Sequence, residues 1–161
     1  MKKLIFSLCL LCVTMAAQAQ FEQGKWIVNP SVTGLNLSHS KAEDTQFGIN
    51  GQVGAFLIDN VALMVSVMGQ WNDAYDAYGA GVGGRYYFHK TGIYLGAGLE
   101  VARLKLDGFG SDTNFGASAE AGYAFFITKT VTIEPAVYYN WNFDNSDFSK
   151  YGLKVGFGIY F

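Results

Sequence analysis

Residues 151–161 read YGLKVGFGIYF, and this final segment alternates strictly between two kinds of side chain. One set is large and apolar: Tyr151, Leu153, Val155, Phe157, Ile159 and Phe161. The other set is small or polar: Gly152, Lys154, Gly156, Gly158 and Tyr160. Because successive side chains of a β-strand point to opposite faces, this alternation predicts a strand with one apolar and one polar face.

The same alternation recurs in seven earlier segments: residues 26–33, 47–57, 61–71, 78–88, 93–101, 115–125 and 131–141. A bulge near Gly34 is predicted to carry the first strand on to Leu37. The segments have the length of about ten residues that a tilted strand needs to cross a bilayer. After the first twenty residues there is no apolar run of the ~18–20 residues that a transmembrane helix needs.

The connections between these segments alternate in length. Three are short: residues 59–60, 89–92 and 128–130. Four are longer and polar: residues 38–46, 72–77, 105–114 and 142–150. The pattern predicts an all-β, eight-stranded, antiparallel up-and-down barrel, with the longer loops outside the cell and both chain ends in the periplasm.

The composition and the residues of the two faces indicate that the apolar face of the barrel points outward. Only 15% of the 161 residues are charged, against roughly a quarter in soluble domains. The apolar face ends in aromatic residues, as interfacial girdles do, and the other face carries most of the 20 glycines. A secreted soluble barrel or sandwich is the alternative, but a face so rich in glycine and polar residues could not form its hydrophobic core. We therefore predict a transmembrane barrel.

Residues 1–19 have the features of a secretory signal peptide. Lys2 and Lys3 precede an apolar run over residues 4–16, and Ala17 and Ala19 form a small-x-small cleavage site. The predicted barrel domain is therefore residues 20–161. A lipoprotein signal is the alternative because of Cys9 and Cys12, but both follow leucine, where such a signal needs a small residue.

The predicted mature chain contains no cysteine, which excludes disulfides, thiol catalysis and cysteine metal sites. The formal net charge of the full sequence is −2, and no basic stretch occurs. Nucleic acid is therefore not an expected partner.

The chain resembles the small outer-membrane β-barrel family, of the OmpA membrane-domain and OmpX kind. The likeness covers the whole predicted mature chain. It rests on the cleavage site Ala17-Gln18-Ala19, the eight alternating segments and the ending GLKVGFGIYF at residues 152–161, and the hairpin FLIDNVAL at residues 56–63 is also similar to this family. It implies an integral protein of the bacterial outer membrane, exported through the periplasm. It also implies that Phe161, with Leu153, Val155, Phe157 and Ile159 before it, is similar to the C-terminal signal recognised by the outer-membrane assembly machinery. Because this fold hosts adhesins, enzymes, small pores and structural proteins, the resemblance implies no single activity.

Five charged residues fall on the polar face: Arg85, Glu100, Glu120, Glu134 and Lys154. Counted from the periplasmic strand ends, Arg85 and Glu134 share a low level, while Glu100, Glu120 and Lys154 share a higher one. Because buried charges need partners, we expect a structural network of ion pairs that fills the lumen. A gate or an ion path is the alternative.

Each longer loop carries two acidic residues: Glu43 and Asp44, Asp73 and Asp76, Asp107 and Asp112, Asp144 and Asp147. They could bridge divalent cations to lipopolysaccharide phosphates, since hard cations prefer carboxylate oxygens. No loop has EF-hand spacing, so a solvated loop surface is the preferred interpretation.

Ser38, His39 and Asp44 lie close together in the first long loop, and the other histidine, His89, lies in a short turn. The three loop residues are of the types that lipid A-modifying barrel enzymes use for general-base chemistry. No GxSxG, Walker or HExxH motif accompanies them.

The sequence thus predicts a non-catalytic outer-membrane barrel with a side-chain-filled lumen and a structural or surface-interaction role. No cofactor and no metal are predicted. The expected partners are outer-membrane lipid, lipopolysaccharide and the assembly machinery, and the expected state is a monomer. A narrow channel for small or apolar solutes and a lipid A-modifying enzyme are the alternatives.

Overall fold

The structure is a computed structural model that describes residues 21–33, 47–71, 75–89, 91–106, 111–144 and 149–161. The predicted signal peptide with Ala17 and Ala19, the predicted bulge near Gly34, and His39 lie outside these residues. Within the described ranges, no helix has the length and apolar character needed to cross a membrane.

Eight long strands make up the described fold. They are β1 (Trp26–Thr33), β2 (Phe47–Ile58), β3 (Val61–Trp71), β4 (Tyr75–Tyr87), β5 (Ile93–Leu106), β6 (Ser111–Tyr123), β7 (Val131–Asn142) and β8 (Lys150–Tyr160). Each pairs antiparallel with the next along the chain, and β1 also pairs with β8. The sheet therefore closes on itself, which confirms the predicted eight-stranded barrel.

Three strands extend at least three residues further towards the long loops than predicted. β4 begins at Tyr75, β5 reaches Leu106 and β6 begins at Ser111, so the predicted loops at 72–77 and 105–114 are partly strand. Pairing between β5 and β6 continues to Lys105 and Ser111. The predicted loops begin where polar residues begin, but backbone pairing continues past that point because it does not depend on side-chain polarity.

Side chains alternate between the two sides of the barrel wall as predicted. The outer surface exposes large apolar residues, including Val67 at 62% and Leu99 at 61%. The inner side is buried, and its residues include Ile27, Phe56 and Tyr160. Closure leaves none of the eight described strands at a free sheet edge, which is what a hydrocarbon environment requires of β-structure.

The two prolines of the chain each interrupt one seam between strands. Pairing of β1 with β8 runs to Val28 and Ile159 and resumes at Ser31 and Gly156. Trp26 N donates to Phe161 O over 2.8 Å. Since every second residue faces the same neighbour, the nitrogen of Pro30 points to β8, where it has no hydrogen to donate.

Pro135 has the same effect on the seam between β6 and β7. Pairing runs to Gly122 and Ala136 and resumes at Ile133, opposite the short continuation of β6 at Phe125–Phe126. The interruption of β6 at Ala124 therefore lies beside Pro135, which has no N–H group to donate to the neighbouring strand.

Candidate functional site

Arg85 on β4 is the centre of the site, because its guanidinium contacts two acidic residues inside the barrel. Its Nη2 lies 2.7 Å from Glu120 Oε1, and its Nη1 lies 3.0 Å from Glu134 Oε2. Nη2 also donates to Gln52 Oε1 over 2.7 Å. Only 1% of the Arg85 side chain is exposed. We use the name lumen network for Arg85, Glu120, Glu134 and Lys154 together with the polar side chains that bond to them.

Glu134 on β7 is the most fully bonded acid of the lumen network. Asn29 Nδ2 donates to its Oε2 over 2.6 Å. Thr132 Oγ1 donates to its Oε1 over 2.8 Å, and Tyr160 OH donates to the same oxygen over 2.6 Å. Together with Arg85 this makes four donors on one buried carboxylate, which offsets the cost of removing its charge from water.

Glu120 on β6 bonds to two cations. Besides Arg85 it accepts a hydrogen bond from Lys154 Nζ, which lies on β8. Glu100 lies nearer the long-loop end, where it lines a cavity together with Ser118. The five lumen charges singled out from the sequence therefore all lie on the inner side of the barrel.

The arrangement of these charges differs from the two separate levels expected from the sequence. Arg85 meets Glu134 and Lys154 meets Glu120, but Arg85 also binds Glu120 and so joins the two levels into one cluster. Arg85, Gly96 and Glu120 are aligned in register across β4, β5 and β6. The strands of a barrel are tilted and staggered, so residues at different distances from their own strand ends can come into contact. Counting residues along each strand does not reveal these contacts.

An aromatic cluster lies below the lumen network, at the short-turn end. Its members are Phe21, Phe56, Tyr87, Phe126 and Tyr160. The Phe21 ring stacks on Tyr87 with centroids 4.2 Å apart, and Tyr87 OH accepts a hydrogen bond from Arg85 Nη1 over 3.1 Å. The aromatic cluster and the lumen network are thus in direct contact.

Phe21 lies before β1 and was not predicted as a site residue. Asn60 N donates to Phe21 O over 2.6 Å, and Gly24 N donates to Phe56 O over 2.9 Å. Gly24 has a φ of +87°, a value that suits glycine and lets the chain turn back under the barrel. An aromatic residue just ahead of the first alternating segment was the only sequence signal for it.

A cavity of about 70 Å³ lies on the other side of the lumen network, towards the long-loop end. Its lining includes Asn50, Ser66, Glu100, Ser118 and Asn140. The polar groups in its lining and its small size suit a few water molecules better than an organic ligand.

The other predicted site residues belong to the C-terminal strand or to the predicted loops. Leu153, Val155, Phe157, Ile159 and Phe161 lie on the outer surface. Ser38, Glu43, Asp44, Asp73, Asp107 and Asp147 lie outside the described residues, as His39 does. Asp144 is described, and its Oδ2 accepts a hydrogen bond from Phe115 N over 3.1 Å. Among the described residues, no group of three or more His, Cys, Asp or Glu is placed to hold a metal ion.

A family model described as "Outer membrane protein beta-barrel domain" matches residues 5–161. A search of curated proteins finds no match.

Solved structures provide fold matches. The N-terminal β-barrel domain of OprF from Pseudomonas aeruginosa is 18% identical, with a TM-score of 0.68, over 86% of this chain and 98% of that one. Neisserial surface protein A is 18% identical, with a TM-score of 0.67, over 85% and 97%. Ail, the attachment invasion locus protein of Yersinia pestis, is 15% identical, with a TM-score of 0.53, over 86% and 99%. At these identities the likeness establishes a shared fold and nothing about activity.

Proposed function

This chain belongs to the outer membrane protein beta-barrel family, and within that family we propose that it is a non-catalytic integral protein whose filled lumen blocks passage. Its role is to support the envelope and to present its polar loops at the cell surface. The proposal extends to export by residues 1–19, assembly through the C-terminal strand, contact with lipid and lipopolysaccharide, and a monomeric state.

One observation carries the proposal: charged and aromatic side chains from strands all around the barrel meet inside it and are buried. Arg85 and Glu134 are each 1% exposed, and Tyr87 and Tyr160 are each 0% exposed. An eight-stranded barrel has an interior just wide enough for side chains, so a layer of this kind leaves no room for a water-filled path.

The bonding of the carboxylates supports a role without catalysis. Glu134 accepts four donors and Glu120 bonds to two cations, so neither is a free general base. Both form part of a packed interior that the barrel needs for its own stability.

Planar-bilayer recording tests the filled lumen against the narrow-channel alternative. The purified protein should give no unitary current steps in concentrated salt, while heat-dependent gel mobility verifies that the same sample is folded. Arg85→Ala should introduce a measurable current because it removes the central side chain. Gly84→Ala is the matched control, since residue 84 lies on the outer face and its added methyl group would have no closer neighbour than 3.9 Å. Stable unitary currents from the unaltered protein would refute the proposal.

A further inference from the structure

Strand β8 lies between β7 and β1, and the hairpin that it forms with β7 has an interrupted seam along each outer side. Pro30 interrupts the seam between β1 and β8 opposite Phe157, and Pro135 interrupts the seam between β6 and β7 opposite Tyr123. Both interruptions lie near the short-turn end. In hydrocarbon no water replaces a missing backbone hydrogen bond, so the interruptions weaken closure of the barrel along these two seams.

A side-chain bond from the lumen network spans this weak region. The residue before each proline points inward: Asn29 precedes Pro30 and Glu134 precedes Pro135. Asn29 Nδ2 donates to Glu134 Oε2 over 2.6 Å, joining residues 105 positions apart in the chain. Because Asn29 is on β1 and Glu134 is on β7, the bond passes over β8.

Strand β8 has glycine at the two positions under this bond. Gly156 is paired with Glu134, and a Cβ atom there would lie 2.7 Å from Asn29 Oδ1. A Cβ atom at Gly158 would collide with Thr132 Oγ1 and Glu134 Oε1. Any larger residue at either position would therefore force the bonded side chains apart.

Strand β8 is itself attached to the same carboxylate. Tyr160 OH donates to Glu134 Oε1 over 2.6 Å, and Arg85 holds Glu134 from β4 on the opposite wall. Glu134 therefore connects β1, β4, β7 and β8 at one point. Charge-assisted hydrogen bonds of this kind are among the stronger polar contacts in proteins.

We propose that Asn29 and Glu134 form a clamp over β8 that closes the barrel where Pro30 and Pro135 interrupt backbone pairing. This role differs from blocking passage through the lumen, because the clamp acts on the closure of the barrel wall between neighbouring strands.

The test is a double-mutant cycle on the unfolding of the purified protein in detergent. Asn29→Ala removes the clamp, and Pro30→Val restores an N–H group that can donate to Phe157. Asn29→Ala alone should raise the unfolding equilibrium constant roughly tenfold or more, the effect of one charge-assisted hydrogen bond. In the Pro30→Val background the same change should have a clearly smaller effect. Equal effects in both backgrounds would overturn the proposal.

Backbone amide exchange supplies a second measurement that a general loss of stability would not reproduce. In Asn29→Ala, exchange should accelerate along β8 and β1 and remain unchanged along β3 and β4. Asn140→Ala is the matched control, because it removes another inward asparagine that lies far from both prolines. If Asn29→Ala does not fold, Asn29→Ser replaces it, since its shorter side chain also fails to reach Glu134. Uniform acceleration over all strands would contradict the clamp.

Discussion

Gly96 is one of the positions where the barrel wall comes very close to the lumen network. It lies in register between Arg85 and Glu120, and an added Cβ atom would be 2.7 Å from Glu120 Cγ and 2.8 Å from Glu120 Oε1. The Glu120 side chain is not free to move aside, because Arg85 and Lys154 both hold its carboxylate. The missing side chain at residue 96 is therefore what allows the ion pair to form across β5.

Gly96→Ala should destabilise the folded barrel by about 1–3 kcal/mol, since displacing Glu120 leaves buried charges poorly bonded. The free energy of unfolding, measured by urea titration in detergent micelles, tests this value. Gly84→Ala is the control, because it makes the same chemical change on the outer face with no neighbour closer than 3.9 Å. Equal stability of the two variants would show that Glu120 moves without cost.

The contacts of single residues are predictable from the sequence only in part. The inward position of Glu134 follows from alternation with period two, and its need for a cation follows from burial. Its bond to Asn29 could not be predicted, because it depends on how β1 and β7 are staggered around the closed wall. The contact of Arg85 with Glu120 was missed for the same reason.

At the scale of elements, the strands were predictable while the segment before β1 was not. Alternation marks a strand wherever one side faces lipid and the other the lumen, and that condition holds along all eight strands. Residues 21–25 have no such period. Their position is set by the ring of Phe21, which enters the aromatic cluster, and by the backbone bond between Asn60 N and Phe21 O.

Phe21→Ala should lower the free energy of unfolding by about 3 kcal/mol, because Phe21 is only 3% exposed and its loss leaves a cavity against Tyr87 and Tyr160. Thermal or urea unfolding in detergent measures the change. Phe143→Ala is the matched control, since that ring is 54% exposed on the outside. A loss in Phe21→Ala no larger than in the control would mean that the segment before β1 does not stabilise the barrel.

At the scale of the whole molecule, the start of β1 is bonded to the last residue of the sequence. Trp26 N donates to Phe161 O over 2.8 Å, and Phe161 N donates to Trp26 O over 3.1 Å. The Phe161 ring itself points outward and is 57% exposed. The backbone of the last residue therefore helps to close the barrel, while its ring makes little contact with the rest of the protein.

This separation allows recognition by the assembly machinery to be tested apart from stability. Phe161→Ala keeps both backbone hydrogen bonds, so the protein refolded in detergent should unfold within about 0.5 kcal/mol of the unaltered protein, as exposed substitutions usually do. In cells, if the ring is part of the assembly signal, the same variant should accumulate as unfolded, protease-sensitive protein in the periplasm.

Phe143→Ala, which removes another exposed outward ring, should assemble normally. Normal assembly of Phe161→Ala would remove the ring from the signal, and an equal defect in Phe143→Ala would point to a general requirement for outward aromatic residues.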